Sequence, residues 1–211
     1  MFFDVHTHSA DKSSNCIYNL KKDDQVKGYF SAGIHPWVAD QFADHIEWLK
    51  SISNDPRCVA IGEAGLDKIK GPDLKTQTSA FIHQIELSEE LEIPLVIHCV
   101  KTWNELRSIK REVKPKQPWI FHGFSKAAIA QEVLEEGLII SIGTAILTNK
   151  QLQEELKKLP LDKILLETDE STASIYEVYQ KVSALKNIPL PDLEREIENT
   201  FKRTFKEWIT G

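Results

Sequence analysis

Residues 59–67 read VAIGEAGLD: an apolar, β-branched start, two glycines, and carboxylates at Glu63 and Asp67. The same form recurs along the chain, in FDVHTH at 3–8, LVIHC at 95–99, WIFHGF at 119–124 and ILLETD at 164–169. Each short apolar run is followed by a residue that binds metals: His6 and His8, Glu63, His98, His122 and Asp169. Segments of helical period separate the runs. Strands alternating with helices mark a parallel α/β fold. In a parallel α/β barrel the C-terminal strand ends converge on one mouth, so residues far apart in sequence meet there. The expected fold is therefore a distorted TIM (β/α) barrel, formed as one domain over residues 1–211.

Eight strands are expected, at Phe2–Val5, Ile17–Leu20, Tyr29–Ile34, Cys58–Ile61, Leu95–Ile97, Trp119–Phe121, Leu138–Ile142 and Ile164–Leu166. Helices are expected near 40–53, 74–91, 102–112, 126–136, 149–158, 173–185 and 191–209. Ser125 reads as an N-cap and Gly137 as the C′ residue of the fourth helix. Pro191 and Asp192 open the last helix, whose buried face is Leu193, Ile197, Phe201, Phe205 and Trp208. The second strand breaks the pattern. Too few residues flank it for parallel crossovers of a dozen or more. It is expected to be antiparallel, irregular or outside the barrel, leaving about seven regular parallel strands.

With 41% hydrophobic and 27% charged residues, the composition is that of an ordinary globular protein. No apolar stretch approaches the ~18 residues that span a membrane. The chain enters an apolar run at Phe2 with no basic segment before it, so no secretory signal and a cytoplasmic location are expected. Cys16, Cys58 and Cys99 are odd in number and irregularly spaced, which argues against a disulfide framework. Cys99 should face away from His98, because strand neighbours point to opposite faces. The net charge of −6 disfavours a broad nucleic-acid surface. A small phosphate-bearing substrate stays compatible, since bound divalent ions invert the local sign.

The period of two puts the imidazoles of His6 and His8 on one face, where both can grip one ion. Glu63 has two oxygens and can bridge two ions, with Gly62 allowing close packing beside it. His98 and His122 end consecutive strands and can complete a second shell. Asp169 follows a buried run and needs a partner, which a metal supplies. Four histidines and two carboxylates suit Zn, Mn, Co or Fe better than a dedicated Mg cage. Two ions so held would activate water for hydrolysis.

GIHPW, GEAGLD, IPLVIHC, FHGFS and LLETD, in that order after D-x-H-T-H at Asp4–His8, resemble the TatD family of metal-dependent deoxyribonucleases, from about Asp4 to Phe205. The resemblance implies a barrel of the amidohydrolase superfamily, two divalent ions (Zn, Mn, Co or Mg) and phosphodiester hydrolysis. It implies that His6, His8, Glu63 and Asp169 hold one ion and that Glu63, His98 and His122 hold the other. Asp169 would also be the general base, and His35 would sit behind the ligands or on the substrate phosphate. The chain departs from the family after Asp169, where ESTASIYEVYQK replaces a proline and a long basic loop.

Lys68, Lys101, Lys126 and Lys150 follow strands and are read either as phosphate contacts or as chance surface charges. Trp37 and Trp103 lie in loops after strands and are read as wall packing or as platforms for a base. Lys101, Lys126 and Trp37 are the substrate-binding candidates. Asp67 is expected to hydrogen-bond its own loop, and His45 and His83 to be structural. The expected substrate is a DNA end or short oligonucleotide, with no membrane and no obligate protein partner. The rival readings are a small-molecule hydrolase of esters, amides or lactones, and a non-catalytic metal-binding barrel.

Overall fold

The computed structural model describes residues 1–9, 15–25 and 28–206. Its strands are β1 (Asp4–Thr7), β2 (Cys16–Leu20), β3 (Phe30–Ala32), β4 (Cys58–Asp67), β5 (Leu95–Val100), β6 (Trp119–Phe121), β7 (Ile139–Ile142) and β8 (Ile164–Leu166). The helices are α1 (Phe42–Ile52), α2 (Leu74–Leu91), α3 (Trp103–Val113), α4 (Ala130–Glu135), α5 (Lys150–Leu156), α6 (Ile175–Lys186) and α7 (Leu190–Phe205). All the expected elements are present. The chain groups into two compact units, Met1–Tyr18 with Phe121–Gly211 and Asn19–Ile120. No helix among the described residues is long and apolar enough to cross a membrane.

In the second unit β3, β4 and β5 pair in parallel, with α1 and α2 as the crossovers. β4 runs to Asp67, six residues beyond its expected end, and all ten of its residues are buried. Glu63 therefore lies inside the strand and not at its terminus. Two glycines let β4 continue. Gly62 (φ +134°) and Gly65 (φ +150°) take conformations that L side chains avoid. A Cβ on Gly62 would lie 2.4 Å from the Val96 carbonyl oxygen, and one on Gly65 would lie 2.0 Å from that of His98. Their absence lets β5 close on β4, with a register shift between Ile61 and Ala64.

Two buried glutamines seven residues apart on α2 fix the ends of this sheet. Gln84 Oε1 accepts from Ile34 N at 2.6 Å and Nε2 donates to Ile34 O at 3.0 Å. Gln77 Oε1 accepts from Asp67 N at 2.7 Å, and Nε2 donates to Asp67 O at 2.9 Å and Pro72 O at 2.7 Å. α2 is capped by Asp73, which accepts from Lys75 N and Thr76 N. His45 and His83 meet the carbonyls of Gln41 and Ser79 one turn back, the structural roles expected of them.

In the first unit β7 and β8 pair in parallel and in register. β1 pairs in parallel with β2, but the partners slip from Asp4↔Cys16 to Thr7↔Tyr18. The second strand is thus irregular, as one expected alternative had it; it is neither antiparallel nor outside the sheet. Eight residues connect β1 to β2, too few for a helical crossover. β8 leads back to β1. Asp169 N donates to His6 O at 2.9 Å, and His8 N donates to Asp169 O at 3.1 Å. On α7, Leu193, Ile197, Phe201 and Phe205 are buried as expected, and Phe201 stacks on Phe3 at 4.2 Å. Trp208 lies outside the described residues.

One cap differs from expectation. A 3-10 turn at Ala127–Ile129 precedes α4, and its N-cap is Lys126 without a side-chain bond, so Ser125 does not cap it. Gly137 (φ +78°) ends α4 as expected: its N–H reaches Leu134 O, and the Leu138 N–H reaches Val133 O.

Gly65→Ala is expected to lower the melting temperature by several degrees, since overpacking costs about 1–3 kcal/mol and each kcal/mol shifts a domain this size by roughly 2–4 °C. Gly28→Ala, where a Cβ meets nothing within 4 Å, should leave it near the parent. Thermal melts of both variants check this.

Candidate metal centre

β1 presents both histidines of His-Thr-His to one carboxylate. His8 Nε2 lies 3.3 Å and His6 Nε2 lies 3.7 Å from Asp169 Oδ1. Ligand atoms of these three residues all lie within 4.8 Å of one another. The His122 ring stands 4.4 Å from that of His6. Asp169 reaches this point because its backbone, in the left-handed region (φ +55°), is clipped to both sides of Thr7 by the two hydrogen bonds described above. Asp4 secures the same joint. Its Oδ1 accepts from Thr168 N at 2.9 Å and its Oδ2 from Thr168 Oγ1 at 2.6 Å.

Behind His122 stands Glu167, which is fully buried. Its Oε1 accepts from Gly123 N at 2.5 Å, and Ser141 Oγ donates to its Oε2. His122 Nδ1 lies 3.7 Å from Oε1, beyond hydrogen-bond range but close enough for attraction. Burial pushes the Glu167 carboxyl above its ordinary value, and His122 and Ser141 offset part of that rise.

In the second unit Glu63, His98 and His35 form a second donor group within the same 4.8 Å limit. His98 Nδ1 meets Glu63 Oε1 at 2.5 Å, and His35 Nε2 lies 3.3 Å from that oxygen. Asn19, at the end of β2, orients the carboxylate. Its Nδ2 donates to Glu63 Oε2 at 3.4 Å, and its Oδ1 accepts from Glu63 N at 3.3 Å. His35 Nδ1 accepts the backbone N–H of Trp37 at 3.2 Å. Its proton is therefore on Nε2, the nitrogen that faces Glu63.

Asp67 does more than the loop bonding expected of it. Oδ1 accepts from Ile69 N at 2.6 Å and Lys70 N at 3.1 Å. Oδ2 accepts from Trp37 Nε1 at 2.7 Å and meets His98 Nε2 at 3.2 Å. Burial alone would raise the Asp67 carboxyl, but the bonds from Trp37, Ile69, His98 and Lys70 outweigh it and hold the group below the ordinary carboxylate range.

The candidate substrate residues are more scattered. Trp37 is 44% exposed, with Lys70 Nζ 4.2 Å above its ring. Trp103 is buried in α3, which is wall packing. Lys68 is ion-paired with Glu105. Lys101 and Lys150 are exposed, and Lys126 Nζ lies 6.0 Å from the Phe121 ring. All three cysteines are free thiols. Burial pushes the Cys58 thiol up to about 12.

The model of TatD related DNases matches residues 2–206. The chain belongs to the TatD family. It is 29% identical over 194 residues to the uncharacterized metal-dependent hydrolase YcfH of Escherichia coli K12, covering 83% of this chain and 73% of that protein. Against the 3'-5' ssDNA/RNA exonuclease TatD of Erwinia tasmaniensis it is 34% identical over 147 residues, covering 66% of this chain and 56% of that one. The crystal structure of the TatD homologue YJJV from E. coli superimposes with a TM-score of 0.70 at 22% identity, over 84% of this chain and 76% of that one. A TatD family hydrolase from Entamoeba histolytica gives 0.74 at 20% identity, over 85% and 75%. The fold is accordingly the TIM-barrel type expected from the sequence, and the TatD-family chain is a metal-dependent hydrolase. The donor chemistry fits that class: imidazole nitrogens and carboxylate oxygens gathered within one ion's reach in each group.

The depressed Asp67 carboxyl contributes stability that is fully present above the unfolded value of about 3.9 and is lost as pH falls through the lower folded value. Asp67→Asn in the metal-free protein should therefore be most destabilised relative to the parent at neutral pH, with the gap closing as pH falls below the unfolded value and through the lower folded one. Urea melts across pH check the sign.

Proposed function

We propose that the chain hydrolyses phosphodiester bonds of DNA ends or short oligonucleotides, with Asp169 as general base. The observation that carries this reading is the convergence of His6 and His8 on Asp169, in a chain similar to a 3'-5' ssDNA/RNA exonuclease. His6, His8 and Asp169 would hold one divalent ion, and Glu63 and His98 would serve a second. Bound there, such ions lower the pKa of water and offset charge on the leaving oxygen.

The protein's own groups divide the remaining work by exposure. A general base must meet water. The Asp169 side chain is 39% exposed, whereas those of Glu63 and Glu167 are 6% and 0%. Asp169 is the carboxylate we assign to take the proton; Glu63 is the one assigned to hold charge in place. His35, with its proton on Nε2, is assigned as donor to a substrate phosphate oxygen. Trp37, half-exposed beside Lys70, offers a face for a base and a cation for its phosphate; Lys101 and Lys126 would add charge.

A second reading is hydrolysis of a small ester, amide or lactone. The net charge of −6 and the ESTASIYEVYQK segment, with no basic loop, favour it. A panel of labelled single strands and chromogenic esters, assayed with Mn²⁺ and Zn²⁺, separates the two. Cleavage of the strand alone supports the first, and cleavage of esters alone overturns it.

Asp169→Asn should reduce kcat by about 10²–10⁴-fold, the usual contribution of a general base. The amide keeps the size and a carbonyl oxygen, so metal uptake should survive. A metal titration of activity beside the parent checks this. Near-parental kcat at saturating metal would remove Asp169 from the role.

A further inference from the structure

Asp67 is fully engaged without being one of the expected ligands. Its two oxygens face four donors: Ile69 N and Lys70 N on Oδ1, Trp37 Nε1 and His98 Nε2 on Oδ2. A carboxylate has about four lone-pair sites, so its capacity is filled. No partner of Asp67 requires a donor, which excludes an amide as a silent replacement. An Asn here must turn its NH₂ toward one of two pairs of N–H groups. The backbone bonds fix the carboxylate relative to β4, and Gln77 holds the Asp67 N–H and carbonyl from α2. The side chain is therefore a rigid acceptor.

His98 stands between two carboxylates. Nδ1 meets Glu63 Oε1 at 2.5 Å and Nε2 meets Asp67 Oδ2 at 3.2 Å. A histidine that binds a metal through one nitrogen commonly donates its other N–H to a carboxylate, which sets tautomer and ring orientation. The geometry orders the two ends. Asp67 can only accept, so Nε2 carries the proton; in the neutral ring Nδ1 then has the lone pair, and an ion shared with Glu63 would take the place of that 2.5 Å contact.

We infer that Asp67 is a positioning residue that holds the His98 proton on Nε2, turns Nδ1 toward Glu63, and ties the Trp37 ring to the same oxygen. This rests on the reading that Glu63 and His98 serve a divalent ion. The shared oxygen has a consequence for specificity: Trp37 and His98 keep a fixed spacing, so a ring stacked on Trp37 is held at a set distance from His98.

The test uses the full chain labelled with ¹⁵N-histidine, in the metal-free and Zn²⁺-loaded forms, for the parent, Asp67→Ala, Asp67→Asn and Trp37→Phe. In the metal-free parent, His98 is expected to show a slowly exchanging Nε2–H. Asp67→Ala and Asp67→Asn should lose that protection. Calorimetric titration with Zn²⁺ should show one equivalent falling about 10–100-fold in affinity in both variants, with the other near the parent. Trp37→Phe removes the indole N–H with its five-membered ring, leaves the His98 and backbone bonds to Asp67, and should keep both the Nε2 signal and both equivalents. An unchanged His98 Nε2–H and unchanged Zn²⁺ affinities in Asp67→Ala overturn the inference. Equal weakening of both equivalents also overturns it, because it marks general loosening and not positioning. A parent that shows the protected Nε2–H yet takes up no second Zn²⁺ keeps the proton assignment and overturns the two-ion reading instead.

Discussion

A carboxylate taken out of water must be met by donors, and the candidate site depends on that constraint. Asp4, Glu63, Asp67 and Glu167 are each at most 6% exposed. Burying an ionised group without partners is costly enough that it would neutralise or stay at the surface. Each of the four instead has its own set. Thr168 serves Asp4; Asn19 serves Glu63, with the His35 ring 3.3 Å away; Trp37, two backbone amides and His98 serve Asp67; Gly123 and Ser141 serve Glu167. The donors that satisfy these carboxylates are the groups that hold the histidines and Asp169 in place. Stability and preorganisation thus rest on the same bonds.

Satisfaction of buried charge also explains the local backbone. β4 carries two of the four carboxylates and needs two glycines with positive φ to lie close to β5. Asp169 stands in the left-handed region, held by a backbone clip to β1. Strained conformations of this kind persist where surrounding bonds over-determine them. Asp169 is the exception among the acids, since its side chain stays 39% exposed. That contrast separates a group able to exchange a proton with water from groups that hold position.

The strand sequence and the metal-binding residue types were legible because periodicity and apolar runs report local burial directly. His6 and His8 share a carboxylate as a period of two requires. The extent of β4 was not legible: Gly62 read only as room for close packing beside Glu63, and the way it and Gly65 carry the strand onward depends on β5 lying against them. The parallel course of β2 was hidden for a similar reason: connection length excludes a regular crossover but not a strand with slipped register. Asp67 read as a loop-capping residue and is one, through Ile69 and Lys70; its bonds to Trp37 and His98 come from distant segments and leave no local signature. Gln77 and Gln84 left a faint one, as polar residues seven apart on the buried face of α2. Glu167 left only its place in a buried run, beside Thr168 and Asp169.

Membership of the TatD family establishes metal-dependent hydrolysis. The most direct measurement of the central claim is anomalous diffraction from crystals of the Zn²⁺- or Mn²⁺-loaded protein, collected at the metal edge. The account predicts one peak bounded by His6, His8 and Asp169 and a second bounded by Glu63 and His98. Peaks only at other surface carboxylates, or none at saturating metal, would contradict it.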